Sequence, residues 1–132
     1  MARTEKSHFW VGRFTSEELY FDFVGEDHSR YELEDYDDVP ISKFAASQGE
    51  VWIDHDFMES GFEEPQAHIK EQFGHYSYAK NWGTELEQQC AGRIPKNSNV
   101  LVFLNENQIA KPQSVEGPDF ELIYIGVLEY EI

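Results

Sequence analysis

An α+β domain, with a mainly antiparallel sheet of about four to five strands and helices packed on one face, is the fold class predicted by three features of the sequence. Apolar stretches with strand character (HFWVGRF, VWIDHDFM, NVLVFLN and FELIYIGVLEY) are spread along the whole chain. Segments with helical spacing and glycine stops lie between them. The chain has 132 residues, 15 % aromatic and 40 % hydrophobic. That length buries one core, and rings in that number offset the ordering entropy that leaves many acidic chains unfolded. One domain over residues 1–132, with 1–7 flexible, is expected. The order of the strands is left open.

Residues 8–14 alternate as a strand, with His8, Trp10, Gly12 and Phe14 on one face and Phe9, Val11 and Arg13 on the other. A helix follows at once. Thr15 and Glu18 read as a capping box, Phe14 and Leu19 as a hydrophobic staple, and Leu19, Tyr20, Phe23 and Val24 as the apolar stripe, stopped by Gly25. Residues 26–39 sustain no helical stripe, which predicts a long exposed loop with at most a short edge strand. Pro40 breaks the ladder, and Ser42 caps a short helix over 43–48 that ends at Gly49. Residues 51–58 alternate as a second strand, Val51, Ile53, His55 and Phe57 facing the core and Trp52, Asp54, Asp56 and Met58 facing away.

Pro65 opens a short helix carrying Ile69 and Phe73. Ser77 opens another, in which Tyr78, Trp82, Leu86 and Cys90 recur at every fourth position despite Gly83. Residues 99–105 are an apolar strand with an asparagine at each end, and 120–130 form the longest strand. Its middle sets Leu122 and Tyr124 against Ile123, Ile125 and Val127, apolar on both faces, which predicts a central position.

Charge is the regional feature. Residues 17–64 hold sixteen of the twenty-six acids against Arg30 and Lys43 alone, a local charge of -14 within a total of -16. That sign disfavours contact with nucleic acid or anionic lipid and favours a basic protein. The single Cys90 excludes an intrachain disulfide framework and a cysteine-based zinc finger, and falls on an apolar helical stripe where a buried thiol is expected. With no secretory pattern and no apolar run of membrane-spanning length, a reducing cytoplasm is the expected compartment.

Catalytic signatures are absent: no G-x-S-x-G, no phosphate-cradling glycine loop and no H-E-x-x-H occurs. Strand alternation turns His55 away from Asp54 and Asp56, so the trio does not chelate one ion. The acidic run lacks the glycine of an EF-hand loop. No metal and no cofactor is expected, and no enzymatic activity.

What remains is binding. Tyr36 and Trp52 are interleaved with Glu32, Glu34, Asp35, Asp37, Asp38, Asp54 and Asp56, and these nine residues are the expected contact surface. Carboxylates speed the encounter with a basic partner, and aromatic anchors slow its escape. Tyr31 is expected in the core.

HFWVGRFTSEEL, ISKFAASQG followed by WIDHDFMESGF, GHYSYAKNW, NVLVFLN and FELIYIGVLEY together resemble immunity protein 22, a family of bacterial polymorphic-toxin immunity proteins. The resemblance covers about residues 8–130 and implies an α+β, cytoplasmic, non-enzymatic protein that binds and neutralises a cognate toxin domain, often a nuclease. It supplies no site residues. With the charge, the expected partner is a basic toxin domain, and self-repulsion favours a monomer. Two other readings stand beside it: a metal-assisted hydrolase using Asp54, His55 and Asp56, and an acidic adaptor that mimics nucleic acid.

Overall fold

In chain order the described residues, 3–132 of a computed structural model, form β1 (Thr4–Phe14), α1 (Glu17–Val24), α2 (Lys43–Ser47), β2 (Glu59–Phe62), α3 (Ile69–Gln72), α4 (Ala79–Cys90), β3 (Val100–Asn105), β4 (Val115–Gly117) and β5 (Phe120–Glu131). Short 3-10 turns occupy His28–Glu32, Tyr36–Asp38 and Glu106–Gln108. The five strands make one sheet in the order β2-β3-β1-β5-β4, every neighbouring pair antiparallel. This is the predicted α+β class.

The helices, expected on one face, divide between the two. Trp10, Phe14, Val100, Val102, Leu104 and Leu122 face a layer that contains α1 and α2, with Tyr20, Val24 and Phe44 as its main contacts. Phe9, Val11, Leu101, Phe103, Ile125, Leu128 and Tyr130 face α3 and α4 through Phe73, Trp82, Leu86 and Cys90. The cause is in the strands: β1 and β3 carry large apolar residues at odd and even positions alike, so both faces need a cover. The same reasoning explains why β5 reads as central without being so. β1 holds the middle, while β4 pairs only with Phe120 to Leu122 of β5.

A bulge sets the far half of β5. Phe9 pairs with Gly126 but Trp10 pairs with Tyr124, so Ile125 is the extra residue, and Gly126 takes φ 139. One extra residue inverts the alternation beyond it. Val127, expected beside Ile123 and Ile125, therefore pairs with His8 on the opposite face and is exposed.

Several boundaries differ from expectation. Thr4 to Ser7, expected to be flexible with the rest of 1–7, pair with Glu131 to Leu128; residues 1 and 2 lie outside the described residues. Ser16, not Thr15, caps α1, its hydroxyl accepting from the Leu19 N–H at 3.2 Å. Ser42 caps α2 as expected, accepting from Ala45 N–H at 3.0 Å. Pro65 precedes a helix of only four residues.

The strand expected over 51–58 is not one. The Asp54 carboxylate accepts the Asp56 N–H at 3.1 Å and the Asp54 carbonyl accepts the Phe57 N–H at 3.1 Å, closing a turn in place of a ladder. Ile53 alone of the expected core-facing residues is fully buried, and the strand begins later, at Glu59. Alternation of apolar and acidic residues is shared by strands and by turns that bury one anchor.

Candidate functional site

The acidic loop after α1 is wound around a single cation. Arg30 is only 2 % exposed. Its Nε donates to the Val39 carbonyl at 3.0 Å, and its Nη2 donates to the carbonyls of Val39 and Tyr36, each at 2.7 Å. The guanidinium carbon also lies 5.2, 5.5 and 5.9 Å from the ring centroids of Tyr31, Tyr36 and Trp52. A planar fork of donors suits two converging carbonyls, and its weakly hydrated faces suit aromatic rings. Arg30 thus closes the end of the loop back on its beginning.

Further bonds fix the loop to the body. Asp27 caps the first 3-10 turn, accepting from the Ser29 N–H at 3.0 Å and the Ser29 hydroxyl at 2.6 Å. These two bonds, foremost the hydroxyl, hold its carboxyl below the ordinary aspartate value. The Asp27 N–H donates to Ile41 O at 2.7 Å, and the Ile41 N–H to Val51 O at 2.8 Å. Loop and Trp52 segment are thereby stitched to the same stretch of backbone.

The predicted surface residues are partly assembled by this scaffold. Tyr36 and Trp52 meet on Arg30, Trp52 remaining 57 % exposed. Glu32, Glu34, Asp35, Asp37 and Asp38 all lie exposed along the two turns and the link between them. Among the described residues none of these five carboxylates has an ion-pair partner; the Lys–carboxylate pairs are Lys6 with Glu129 and Lys43 with Asp22, both elsewhere. Arg30 donates from Nε and Nη2 to carbonyls and to none of these carboxylates.

Asp54 and Asp56 sit in the next turn. Asp56 is exposed and Asp54 half-buried, its N–H donating to Gln108 Oε1 at 3.1 Å. Tyr31 is not in the core: it is exposed and its hydroxyl donates to Glu26 at 2.9 Å. Sequence reasoning missed Arg30 as the organiser, although a lone arginine inside an acidic run, followed by Tyr31 and Tyr36, is a readable signal. It also missed Leu33, Val51 and Phe57 as exposed apolar side chains.

His55 is half-buried, with Nε2 3.2 Å from Ser42 Oγ. Burial holds its imidazole below the ordinary value of 6.5, against the opposing pull of Glu26, Asp54 and Asp56. The unfolded chain therefore takes up this proton at a higher pH than the folded one. The stability associated with neutral His55 is complete above 6.5 and is lost as pH falls below it. The urea midpoint of the wild type should accordingly drop relative to that of His55→Gln between about pH 6.5 and pH 5; a constant or inverted difference contradicts the assignment.

Burial likewise pushes the Cys90 thiol up to about 12, consistent with a packing role. Among the described residues no cluster of three or more His, Cys, Asp or Glu side chains is arranged to hold a metal, and no helix is long and apolar enough to cross a membrane. No curated protein and no solved structure matches the chain. The family model described as Immunity protein 22, in contrast, matches residues 8–131, nearly the whole length. A match over nearly the whole length shows the family, and the chain belongs to the Immunity protein 22 family.

Proposed function

We propose that this chain is a non-enzymatic immunity protein that binds a cognate toxin domain in the cytoplasm, as a monomer, and neutralises it. The toxin we infer is a basic nuclease. The reading rests on the family membership and on one observation: Glu32, Glu34, Asp35, Asp37 and Asp38 are exposed, with no ion-pair partner among the described residues, on a loop folded over Arg30. A nuclease groove built to hold phosphates presents bases, and ordered carboxylates can occupy it in their place. Because the loop is already folded, little ordering entropy is lost on docking.

Tyr36 and Trp52 supply the anchors, and Asp54 and Asp56 extend the surface along the following turn. Nothing in the geometry favours the hydrolase or the nucleic-acid-mimicking adaptor. The test is coexpression with the C-terminal domain encoded by the neighbouring reading frame. Growth restored by this chain supports the reading, and continued killing by a toxin domain from that frame, with this chain expressed and soluble, overturns it.

A further inference from the structure

A second surface feature lies at the opposite end of the segment that carries Trp52. Strand β2 stops short of the end of β3: its pairing ends at Glu59 opposite Phe103, leaving Leu104 and Asn105 without a neighbour on that side. The gap is a cleft of about 300 Å³. Its lining includes two exposed rings, Phe57, 77 % exposed, and Tyr78, 47 % exposed. Tyr78 takes φ 59, a left-handed conformation rare for a bulky residue, as it leads into α4.

The deeper lining is polar. Ser7 and Tyr130 are buried with their hydroxyls 2.8 Å apart. Glu5 accepts from the Asn105 side-chain amide through Oε1 at 3.2 Å, and Glu59 accepts from the Ser77 N–H through Oε2 at 3.1 Å. In each carboxylate the other oxygen has no such bond, and neither has an ion-pair partner among the described residues. Burial raises the Tyr130 phenol above its ordinary value, and the charges of Glu5 and Glu59 add to the rise.

We propose that this cleft receives an arginine side chain of the partner protein, with the guanidinium between Phe57 and Tyr78 and against the carboxylates of Glu5 and Glu59. The proposal rests on the immunity reading and names one feature of the partner's surface. Two exposed rings and two carboxylates lining one cleft match a flat, weakly hydrated cation better than a compact ammonium. The volume, at the lower end for ligand sites, suits one long side chain. Phe57 lies on the same turn as Asp54, and Gln108, which also lines the cleft, accepts the Asp54 N–H. A partner resting on the acidic loop and Trp52 thus meets the cleft along one continuous path.

The first arm uses N-acetyl-arginine methylamide as the probe, followed through the amide resonances of Ser77, Tyr78, Asn105 and Tyr130. Saturable shifts are expected with a midpoint on the order of millimolar. The uncharged norleucine counterpart should give none. Glu5→Gln/Glu59→Gln keeps both hydrogen-bond acceptors and removes the charges, and should weaken the response about tenfold or more. Asp35→Asn/Asp37→Asn/Asp38→Asn should leave it unchanged. Absence of saturation, an equal response to norleucine, or indifference to the paired glutamine variant overturns the proposal.

The second arm measures affinity for the toxin domain, and the paired glutamine variant should again bind about tenfold more weakly. Unchanged affinity beside a protective wild type overturns the cleft and leaves the immunity function standing. Failure of the wild type to protect overturns the function instead, and the arginine arm still decides the chemistry of the cleft.

Discussion

Arg30→Met should release the loop between residues 26 and 39 while the sheet stays folded. The substitution removes three donated hydrogen bonds to two carbonyls and the cation from beside three rings. Hydrogen bonds from a charged donor contribute about 1.5–3 kcal/mol, and a cation beside an exposed ring about 0.5–1 kcal/mol. These contributions are not additive, and a loss of about 3 kcal/mol in the local stability of the loop is expected. Amide exchange should accelerate at Leu33 and Val39, whose N–H groups bond to Arg30 O and Tyr36 O at 3.1 and 3.0 Å, and remain slow along β1.

Arg30→Lys is the informative companion. It keeps the charge but has no planar fork to span both carbonyls, so it should fall between wild type and Arg30→Met. Equal exchange rates in all three proteins would mean that the loop is held by something other than this guanidinium.

Asp35→Lys/Asp37→Lys/Asp38→Lys should cost binding and spare the fold. All three side chains are exposed and none is paired with a base among the described residues, so their reversal removes mutual repulsion and breaks no internal ion pair. The variant should melt no lower than the wild type. Affinity for the toxin domain should fall by about a hundredfold to a thousandfold, on the scale measured for close charges across an interface. A variant that binds poorly because it has unfolded would show the opposite pattern in the melting experiment.

The parts of this structure that the sequence carries plainly are those written in long periods. β1, β3 and β5 are extended apolar runs, and the every-fourth-residue stripe Trp82, Leu86 and Cys90 of α4 is buried as its spacing requires. Strands β2 and β4, with sequences ESGF and VEG, were not legible. They are short and polar, and they join the sheet because a long neighbour offers an edge, which is a property of β3 and β5 rather than their own.

At the surface, composition located the acids, and the structure shows what composition does not encode. Whether an arginine in an acidic run will pair with carboxylates or with carbonyls depends on how the chain turns. Here the His28–Glu32 and Tyr36–Asp38 turns bring the carbonyls to Arg30. The same limit explains Tyr31 and Phe57: an aromatic residue in a loop has no period to show whether it faces core or solvent. Both are exposed, beside Glu26 in one case and lining a cleft in the other.

The most direct measurement is the affinity of wild type and of the triple lysine variant for the toxin domain, followed over a salt range of about 50–500 mM. Exposed charges are screened over a Debye length that shrinks from about 14 to about 4 Å across that range. Wild-type binding should weaken steeply as salt rises, and the variant should bind weakly with a much flatter slope. A wild-type affinity that ignores salt, or a triple variant that keeps both the affinity and the slope, would contradict docking through the acidic loop.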